Sequence, residues 1–290
     1  MKRIFAFCNQ KGGVGKTTSV INIAASLVKK GLKVLTIDLD SQANLTSGLG
    51  EEKPSIEFTT YQLLVENSEV SSLIRKTAFK NLDLIPANMD LSGADLELVS
   101  REKREFILKE RLATVPEEYD FILIDCPPSL GLVTINALTA SDYLIIPLQC
   151  EYYALEGLSQ LLGTFQLVKD HLNPGFEIGG VVLTMADFRT NLTQQVIEEV
   201  KNYFKDKVFE SIIPRSVKIS EAPSFGKPAV IYDPNNRASK GYVQVAHEFA
   251  RKFSEKFAKK AANPEMQPEK MEEPAQESVQ AAPAAEETVS

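Results

Sequence analysis

A glycine-rich segment near the start of the chain carries the residue types that bind phosphate. It reads Lys11-Gly12-Gly13-Val14-Gly15-Lys16-Thr17-Thr18 and lies between an apolar run and a stretch of helical period. Glycines let backbone N–H groups face phosphate oxygens, and the amino terminus of a following helix adds partial positive charge. We therefore expect Lys16 to neutralise the β- and γ-phosphates of a nucleotide, Thr17 to coordinate Mg²⁺ and Thr18 to donate to the α-phosphate.

A second lysine, Lys11, opens this loop. The common pattern G-x-x-x-x-G-K-[ST] does not fit, because Gln10 stands where its first glycine would fall. One cation already serves a β/γ-phosphate site from inside the loop. A lysine at the start of the loop lies at the rim of the site, so we expect Lys11 to reach a nucleotide held by another chain.

Two other apolar segments end in carboxylates. Asp38 and Asp40 close a predicted strand within Lys33–Gly50, and Asp125 closes another within Tyr119–Gly131. Ligands of open α/β sheets bind at the carboxyl ends of the strands. Asp125 therefore fits a residue that holds Mg²⁺ through water, although an Asp in this place also caps turns or helices.

Apolar runs of strand length recur along the chain and are unbroken, as in strands covered on both faces. Segments of helical period lie between them, among them Thr17–Lys30, Leu155–His171 and Leu192–Phe204. This alternation predicts an α/β fold with a mostly parallel central sheet flanked by helices on both faces. The predicted strands are Arg3–Cys8, Lys33–Ile37, Leu82–Pro86, Phe121–Asp125, Tyr143–Pro147, Gly179–Thr184 and Val208–Ile213.

The end of the chain divides into a helix and a tail. Val243–Lys260 has one apolar and one basic side, so we predict a helix packed on the core, with a membrane-surface helix as the alternative. Residues 261–290 contain seven Glu, one Lys and no aromatic residue. Such a segment cannot bury enough apolar surface to offset its ordering entropy. We therefore predict a phosphate-loop domain at 1–260 and a disordered acidic tail at 261–290.

Charge, cysteine and histidine content and the length of the apolar segments bear on which classes of protein fit this sequence. The net charge of −7 belongs mostly to the tail, so it says little about what the folded part binds. Cys8, Cys126 and Cys150 form no C-x-x-C pair, and two histidines are too few for a metal site. No leader pattern is present, and no apolar segment approaches the roughly 18 residues of a spanning helix. These features predict a soluble, cytoplasmic protein.

The sequence KGGVGKTT resembles the deviant Walker A motif of the ParA/MinD superfamily of P-loop ATPases. The likeness runs from about Lys2 to about Ala258 and is greatest for the chromosomal ParA/Soj branch, on the segments Leu148–Leu162 and Ile212–Pro228. The resemblance implies an ATP hydrolase that uses ATP and Mg²⁺. It also implies that Lys11 crosses a face-to-face homodimer to the other subunit's ATP, as an arginine finger does.

The same resemblance implies further site residues. Asp40 would orient the attacking water, and Pro214 would lie against the adenine ring. Ser216, which is usually Asn in this branch, would hydrogen-bond the base with a shorter side chain. Ser41 and Ala43 replace the Pro and Gly of the usual family pattern beside Asp40.

The resemblance also implies non-specific binding of double-stranded DNA by the ATP-bound dimer. It assigns the phosphate contacts to Arg189, Lys218 and Arg215, the last of which has the nucleotide as an alternative contact. Such contacts are blind to sequence and sensitive to salt. The implied function is chromosome or plasmid partitioning with a ParB/Spo0J-like partner, in the cytoplasm and on the nucleoid. Lys201, Lys205 and Lys207 extend this surface or simply face water.

Two other functions stay open at this point. One is a MinD-like membrane-cycling or cargo-positioning ATPase anchored by Val243–Lys260, although an anionic membrane would repel the acidic tail. The other is an ATP-dependent carrier or synthetase. Iron–sulfur carriers need cysteine pairs, which this sequence lacks. We therefore expect DNA rather than a membrane as the binding surface.

Overall fold

A single sheet runs through the part of the chain that the computed structural model describes, which is residues 3–51, 58–66, 68–151 and 157–254. Its strands are β1 (Arg3–Phe7), β2 (Val34–Asp38), β3 (Arg75–Lys76), β4 (Leu82–Ile85), β5 (Phe121–Asp125), β6 (Tyr143–Gln149) and β7 (Glu177–Thr184). Their order is β3-β4-β2-β5-β1-β6-β7, and every neighbouring pair is parallel except β3 and β4. The predicted α/β class with a mostly parallel sheet is confirmed.

Helices cover both faces of the sheet. They are α1 (Lys16–Val28), α2 (Asn44–Gly48), α3 (Val70–Leu73), α4 (Ala94–Leu98), α5 (Ile107–Ala113), α6 (Leu132–Ala140), α7 (Leu158–His171), α8 (Asn191–Phe204), α9 (Val217–Glu221), α10 (Ala229–Tyr232) and α11 (Arg237–Phe253). Shorter turns are the π-helical Gln62–Glu66 and the 3₁₀ turns Met89–Gly93, Lys205–Lys207 and Ala222–Phe225.

The sheet separates two apolar layers. Because side chains alternate along a strand, Ala6 and Cys8 join the layer beneath α4 to α8, while Phe5 and Phe7 join the layer beneath α1 and α11. Both faces of β1 are therefore buried, which explains its unbroken apolar sequence.

The last helix, α11, packs on α1 and on the aromatic side chains of the sheet. Tyr242 Oη lies 3.3 Å from Ser19 Oγ, and the ring of Phe249 lies 4.5 Å from that of Phe5. The predicted core packing is thus found for the described part of this segment, whose apolar side is buried. No helix within the described ranges combines the length and hydropathy needed to cross a membrane.

The prediction of a strand at Val208–Ile213 is wrong. This segment lies beside β7 and makes one isolated bridge, Val181 to Val208. Its ladder breaks because the N–H groups of Glu210 and Ser211 donate to the Glu248 carboxylate of α11 at 2.7 and 3.0 Å. The N–H groups of Phe209 and Ile213 still donate to the β7 carbonyls of Val181 and Leu183 at 3.0 and 2.9 Å, so the pairing is interrupted in the middle of the segment, at Ser211.

Strand β3 is an element that the sequence does not predict. Its two residues are both cationic, so no apolar run marks it. It pairs antiparallel with β4, where Lys76 Nζ lies 2.7 Å from Asp83 Oδ2. The predicted domain boundary near residue 260 and the acidic tail lie outside the described residues and remain predictions.

Candidate nucleotide-binding site

The glycine-rich segment forms a loop between β1 and α1, at the carboxyl edge of the sheet. Gly13 and Gly15 have φ angles of 73° and 87°. This left-handed backbone is the conformation that glycine adopts without strain. Val14 is buried, and its carbonyl accepts a 2.8 Å hydrogen bond from Thr184 Oγ1 at the end of β7. The loop is therefore fixed to the sheet at its middle.

Asn9 fixes the start of the same loop. Its Nδ2 donates to the carbonyl of Pro147 in β6 at 2.8 Å, and its Oδ1 accepts from the Lys11 N–H at 3.1 Å. Asn9 is buried, so these bonds are shielded from water. They set the position from which Lys11 leaves the loop.

Lys16 and Thr17 begin α1, directly below the loop. Lys16 is buried, and its Nζ lies 3.5 Å from the carbonyl of Lys11. Thr17 lies beside Asp125, where its hydroxyl favours the ionised carboxylate. Thr18 follows in the same turn, and its carbonyl accepts from Asn22 Nδ2 at 2.8 Å. The structure thus brings together the lysine and both threonines that the sequence assigned to phosphate and Mg²⁺.

Asp38 and Asp125 end neighbouring strands in register with each other. Both are fully buried. Burial, with the Asp38 charge as the next cause, raises the pKa of Asp125 well above its usual range, against the opposing effects of Thr17 and Lys16. Burial also raises the pKa of Asp38 to about 6, against its hydrogen bonds to Thr46. Two adjacent carboxylates below the phosphate loop favour either a bound proton or a bound cation.

The Asp125 carboxylate fits a metal role. Both of its oxygens are buried without a hydrogen-bonding partner of good geometry among the described residues. Buried polar atoms are normally paired, so a buried carboxylate whose oxygens have no such partner is suited to binding a cation. Carboxylate and threonine hydroxyl oxygens are ligands that Mg²⁺ prefers. Asp125 and Thr17 therefore suit the ion that accompanies a nucleotide.

Asp38 belongs to the site, although its sequence context predicts no specific role for it. Its Oδ2 accepts from the N–H and the hydroxyl of Thr46 at 2.9 and 2.7 Å, and its Oδ1 accepts from the Asp40 N–H at 3.1 Å. It thereby fixes the loop that carries Asp40. The signal in the sequence was a second carboxylate two positions before Asp40, at the end of an apolar run.

Asp40 lies in the loop between β2 and α2 and is partly exposed. Its Oδ1 accepts from the Gln42 N–H at 3.0 Å, and its carbonyl accepts from the Ala43 N–H at 2.8 Å. Ala43 has a φ of 51°. This left-handed conformation explains the usual glycine of the family pattern, and it strains the alanine found here.

Lys11 is paired within its own chain. Its Nζ lies 3.2 Å from Glu151 Oε2, and its side chain is 41% exposed. Arg215 Nη2 approaches the other carboxylate oxygen at 3.3 Å, and Gln149 also donates to it. Glu151 therefore joins the loop lysine to Arg215 at the rim of the site. This position agrees with the nucleotide-side alternative for Arg215.

The two candidates for contact with adenine, Pro214 and Ser216, flank Arg215 in the sequence. Pro214 bridges Ala186 next to β7. Ser216 Oγ lies 3.1 Å from Asn236 Oδ1, and the same oxygen accepts from the Ala238 N–H at the start of α11. Ser216 is thus tied to the amino terminus of α11, and its contact with a base remains a prediction.

Each DNA-contact candidate is exposed, and each is paired with an acid of its own chain. Arg189 binds Asp187 through two hydrogen bonds of 2.8 and 2.6 Å, which lower the pKa of that carboxyl to about 2. Lys218 Nζ lies 2.8 Å from Glu221 Oε2. The Arg215 N–H donates to the Ala186 carbonyl at 3.0 Å, which holds the two loops side by side. DNA phosphates would have to compete with these carboxylates.

The three remaining lysines lie at the carboxyl-terminal end of α8. Lys201 lies in the last turn of α8, and Lys205 and Lys207 lie in the 3₁₀ turn after it. At 1.5 Å per residue, Lys201 lies about 15 Å and Lys205 about 21 Å from the amino terminus of the helix near Arg189. Their part in a DNA-binding surface stays a prediction.

A match with a known protein family includes the phosphate loop, Asp40 and Asp125. A family model described as an AAA domain matches residues 2–178. The sporulation initiation inhibitor protein Soj of Bacillus subtilis is 56% identical over 250 residues, which is 86% of this chain and 99% of that protein. The chromosome partitioning protein ParA of Myxococcus xanthus is 50% identical over 249 residues, which is 86% of this chain and 88% of that protein.

A solved structure shares the fold as well. Cobyrinic acid a,c-diamide synthase of Mycobacterium smegmatis, with bound ADP and magnesium, superposes with a TM-score of 0.78 at 35% identity. The match covers 88% of this chain and 97% of that chain. The structural neighbour thus holds a nucleotide and magnesium on the same architecture.

Proposed function

Because this chain belongs to the ParA/Soj family of the ParA/MinD superfamily of P-loop ATPases, we propose that it is a partitioning ATPase that ATP switches into a DNA-binding dimer. It hydrolyses ATP slowly with Mg²⁺, acts with a ParB/Spo0J-like partner, and works in the cytoplasm on the nucleoid. The observation that carries the proposal is Lys11, a second cation at the rim of a phosphate loop that already holds Lys16 inside.

Nucleotide binding uses the elements at the carboxyl edge of the sheet. The loop amides and Lys16 receive the phosphates, and Pro214 and Ser216 border the base. Thr17 and Asp125, supported by Asp38, hold the metal ion. When bound, Mg²⁺ neutralises charge on the β- and γ-phosphates. Burial disfavours charge on both carboxylates and raises their pKa values, and a bound cation would offset that cost.

Dimerisation depends on an exchange of partners at Lys11. In the isolated chain Glu151 holds Lys11 and Arg215. In the dimer Lys11 of each subunit leaves Glu151 for the terminal phosphate in the other. A terminal phosphate carries more charge than one carboxylate and accepts more hydrogen bonds, so ATP favours the exchange.

Hydrolysis reverses the exchange. Asp40 orients the attacking water, and its loop is fixed by Asp38 and Thr46. Loss of the γ-phosphate removes the group that Lys11 binds across the dimer. Lys11 returns to Glu151, and the subunits separate.

DNA binding follows from pairing two copies of one weak surface. Arg189, Lys218 and, more weakly, Arg215 supply the phosphate contacts, and each subunit alone offers cations already neutralised by neighbours. Joining two surfaces raises avidity without new contacts. Separation of the subunits therefore releases DNA.

A MinD-like membrane function has less support. The apolar side of α11 lies in the core, where Phe249 and Phe253 pack on Phe5. A helix packed in this way cannot insert the same side into lipid. The described part of the segment therefore favours DNA over a membrane.

The test is the size and DNA retention of three proteins with ADP, with ATP and without nucleotide. We expect wild type to become a DNA-retained dimer only with ATP. Lys16→Ala should lose nucleotide binding altogether, whereas Asp40→Ala should keep ATP and stay a DNA-bound dimer. Monomeric wild type with saturating ATP, or Asp40→Ala that behaves like Lys16→Ala, would refute the assigned roles.

A further inference from the structure

An exposed apolar stripe lies on the segment between β4 and α5. Met89 is 63% exposed, Leu96 82% and Val99 54%. Their helical spacing places them on one side of the 3₁₀ turn and α4, while Leu91 and Leu98 on the other side are buried. Large apolar side chains grouped in this way mark a surface that binds another molecule.

Carboxylates border this stripe. Asp90 and Glu97 are exposed next to Met89 and Leu96. Tyr61 Oη donates to Glu97 Oε1 at 2.9 Å. That hydrogen bond, then burial, and then the charges of Glu97, Glu66 and Asp90 raise the pKa of Tyr61. Three carboxylates thus act on one point beside the stripe.

Both arginines at the far end of the segment are already engaged. Arg101 donates to the carbonyl of Val65, and Arg104 donates to the carbonyl of Val99 and to Glu105. They do not neutralise Asp90 and Glu97. The face therefore combines apolar contact area with negative charge.

This face is joined to the loop that follows Asp125. Asp95 lies in α4, and its Oδ1 accepts from the Val133 N–H in the first turn of α6 at 2.8 Å. The contact is close, since a Cβ on Gly131 would lie 2.1 Å from Asp95 Oδ2. Asp95 therefore links the position of α4 to the start of α6, which follows the loop that leads from Asp125.

The same face is joined to the loop of Asp40. The Ala87 N–H, two residues before Met89, donates to Thr46 Oγ1 at 3.1 Å. That hydroxyl donates to Asp38 Oδ2 at 2.7 Å, and Asp38 Oδ1 accepts from the Asp40 N–H. Hydrogen bonds thus connect the segment that carries the stripe to the loop of Asp40 and to the helix after the Asp125 loop.

We propose that the face formed by Met89, Leu96, Val99, Asp90 and Glu97 is the docking site for a basic amphipathic segment of the protein that stimulates hydrolysis. Apolar side chains of that segment cover the stripe, while its Lys or Arg side chains bind the two carboxylates and speed encounter. Binding that differs in strength between two positions of α4 shifts the loops of Asp40 and Asp125. The acidic tail of this chain has the wrong charge for the site.

This inference rests on the proposed function, and its test uses the full-length chain with Mg·ATP, DNA and the ParB/Spo0J-like protein of the source organism. The variant is Leu96→Ser/Val99→Ser, and the matched control is Leu167→Ser, an apolar residue of α7 that is 62% exposed. We expect unchanged basal turnover, partner affinity weaker by about tenfold, and loss of stimulation. The control should match wild type. Glu97→Lys should also weaken binding, with a smaller dependence on salt.

Equal partner affinity and equal stimulation of Leu96→Ser/Val99→Ser and wild type would overturn the docking site and leave the proposed function intact. Altered self-association of this variant, with partner binding unchanged, would assign the face to a second copy and also overturn it. A wild type that the ParB/Spo0J-like protein never stimulates would instead count against the proposed function. The face would then be judged with a synthetic Lys/Leu amphipathic peptide and its Glu/Leu counterpart. Preferential binding of the basic peptide that the double variant loses supports the site, and equal binding refutes it.

Discussion

The substitution Asp125→Asn should stabilise the protein when nucleotide and metal are absent. Asp125 is fully buried, and its oxygens have no hydrogen-bonding partner of good geometry among the described residues. Its pKa is raised above the usual value, chiefly by burial. The folded protein therefore retains a proton here that the unfolded chain releases. The stability from this group is full below the ordinary pKa of Asp and is lost as pH rises towards the raised value.

The size of the stability difference follows from how steeply the free energy of unfolding depends on pH. Each pH unit between the ordinary and the raised pKa removes about 1.4 kcal/mol from the stability of wild type. Asn has the same shape and no charge, so it escapes this loss. We expect the two proteins to be nearly equal at pH 4, and the difference in favour of Asp125→Asn to grow by about 1.4 kcal/mol per pH unit until the raised pKa is reached.

The assay is urea unfolding of EDTA-treated protein at several pH values from 4 to 8. Asp170→Asn is the control, since Asp170 is an exposed Asp on α7. Adding Mg·ATP should stabilise wild type by about 2.7 kcal/mol at 100 times the dissociation constant, and the Asn variant by less. A destabilised Asp125→Asn at pH 7, or a difference that ignores pH, would show that this carboxylate is compensated in a way we have not described.

Three further outcomes are expected. Glu151→Gln frees Lys11, so ATP-dependent dimerisation in sedimentation should need about twofold to fivefold less protein, as for loss of an exposed ion pair; an unchanged midpoint would contradict the exchange. Arg189→Glu should lower the slope of log DNA affinity against log salt by about 1.8 per dimer, whereas Lys201→Glu, at the other end of α8, should leave it unchanged. Ala43→Gly relieves a left-handed backbone and should stabilise the fold by about 1 kcal/mol, seen as a higher Tm; a lower Tm would mean that the alanine is not strained.

The features that could be predicted from the sequence are those set by residues close together in the chain. Unbroken apolar strands, the glycines of the phosphate loop and the carboxylates at two strand ends all lie in short segments with their own periodicity. The last described helix was predicted from its apolar side, but it begins at Arg237 rather than Val243. Asn236 supplies the cap there by accepting from the Ala238 N–H at 2.9 Å.

The sequence did not predict what depends on distant contacts. Glu151 binds Lys11 across 140 positions of chain, and nothing in either segment alone indicates the pair. Asp38 matters because β2 and β5 stand in register, which is a property of the assembled sheet. Val208–Ile213 has the composition of a strand, yet Glu248 takes two of its N–H groups. In each case a side chain far along the chain decides the outcome.

The packing of α11 on α1 has a consequence for how the protein is made. Tyr242 and Ser19 meet although 223 positions separate them. At ribosomal speeds of about 5 to 20 residues per second, the first helix waits about 10 to 45 seconds for its cover. During this interval the apolar side of α1 is open to chaperones and to aggregation. A nascent or prematurely terminated chain therefore lacks the packing that α11 supplies to α1, the helix that begins at the phosphate loop.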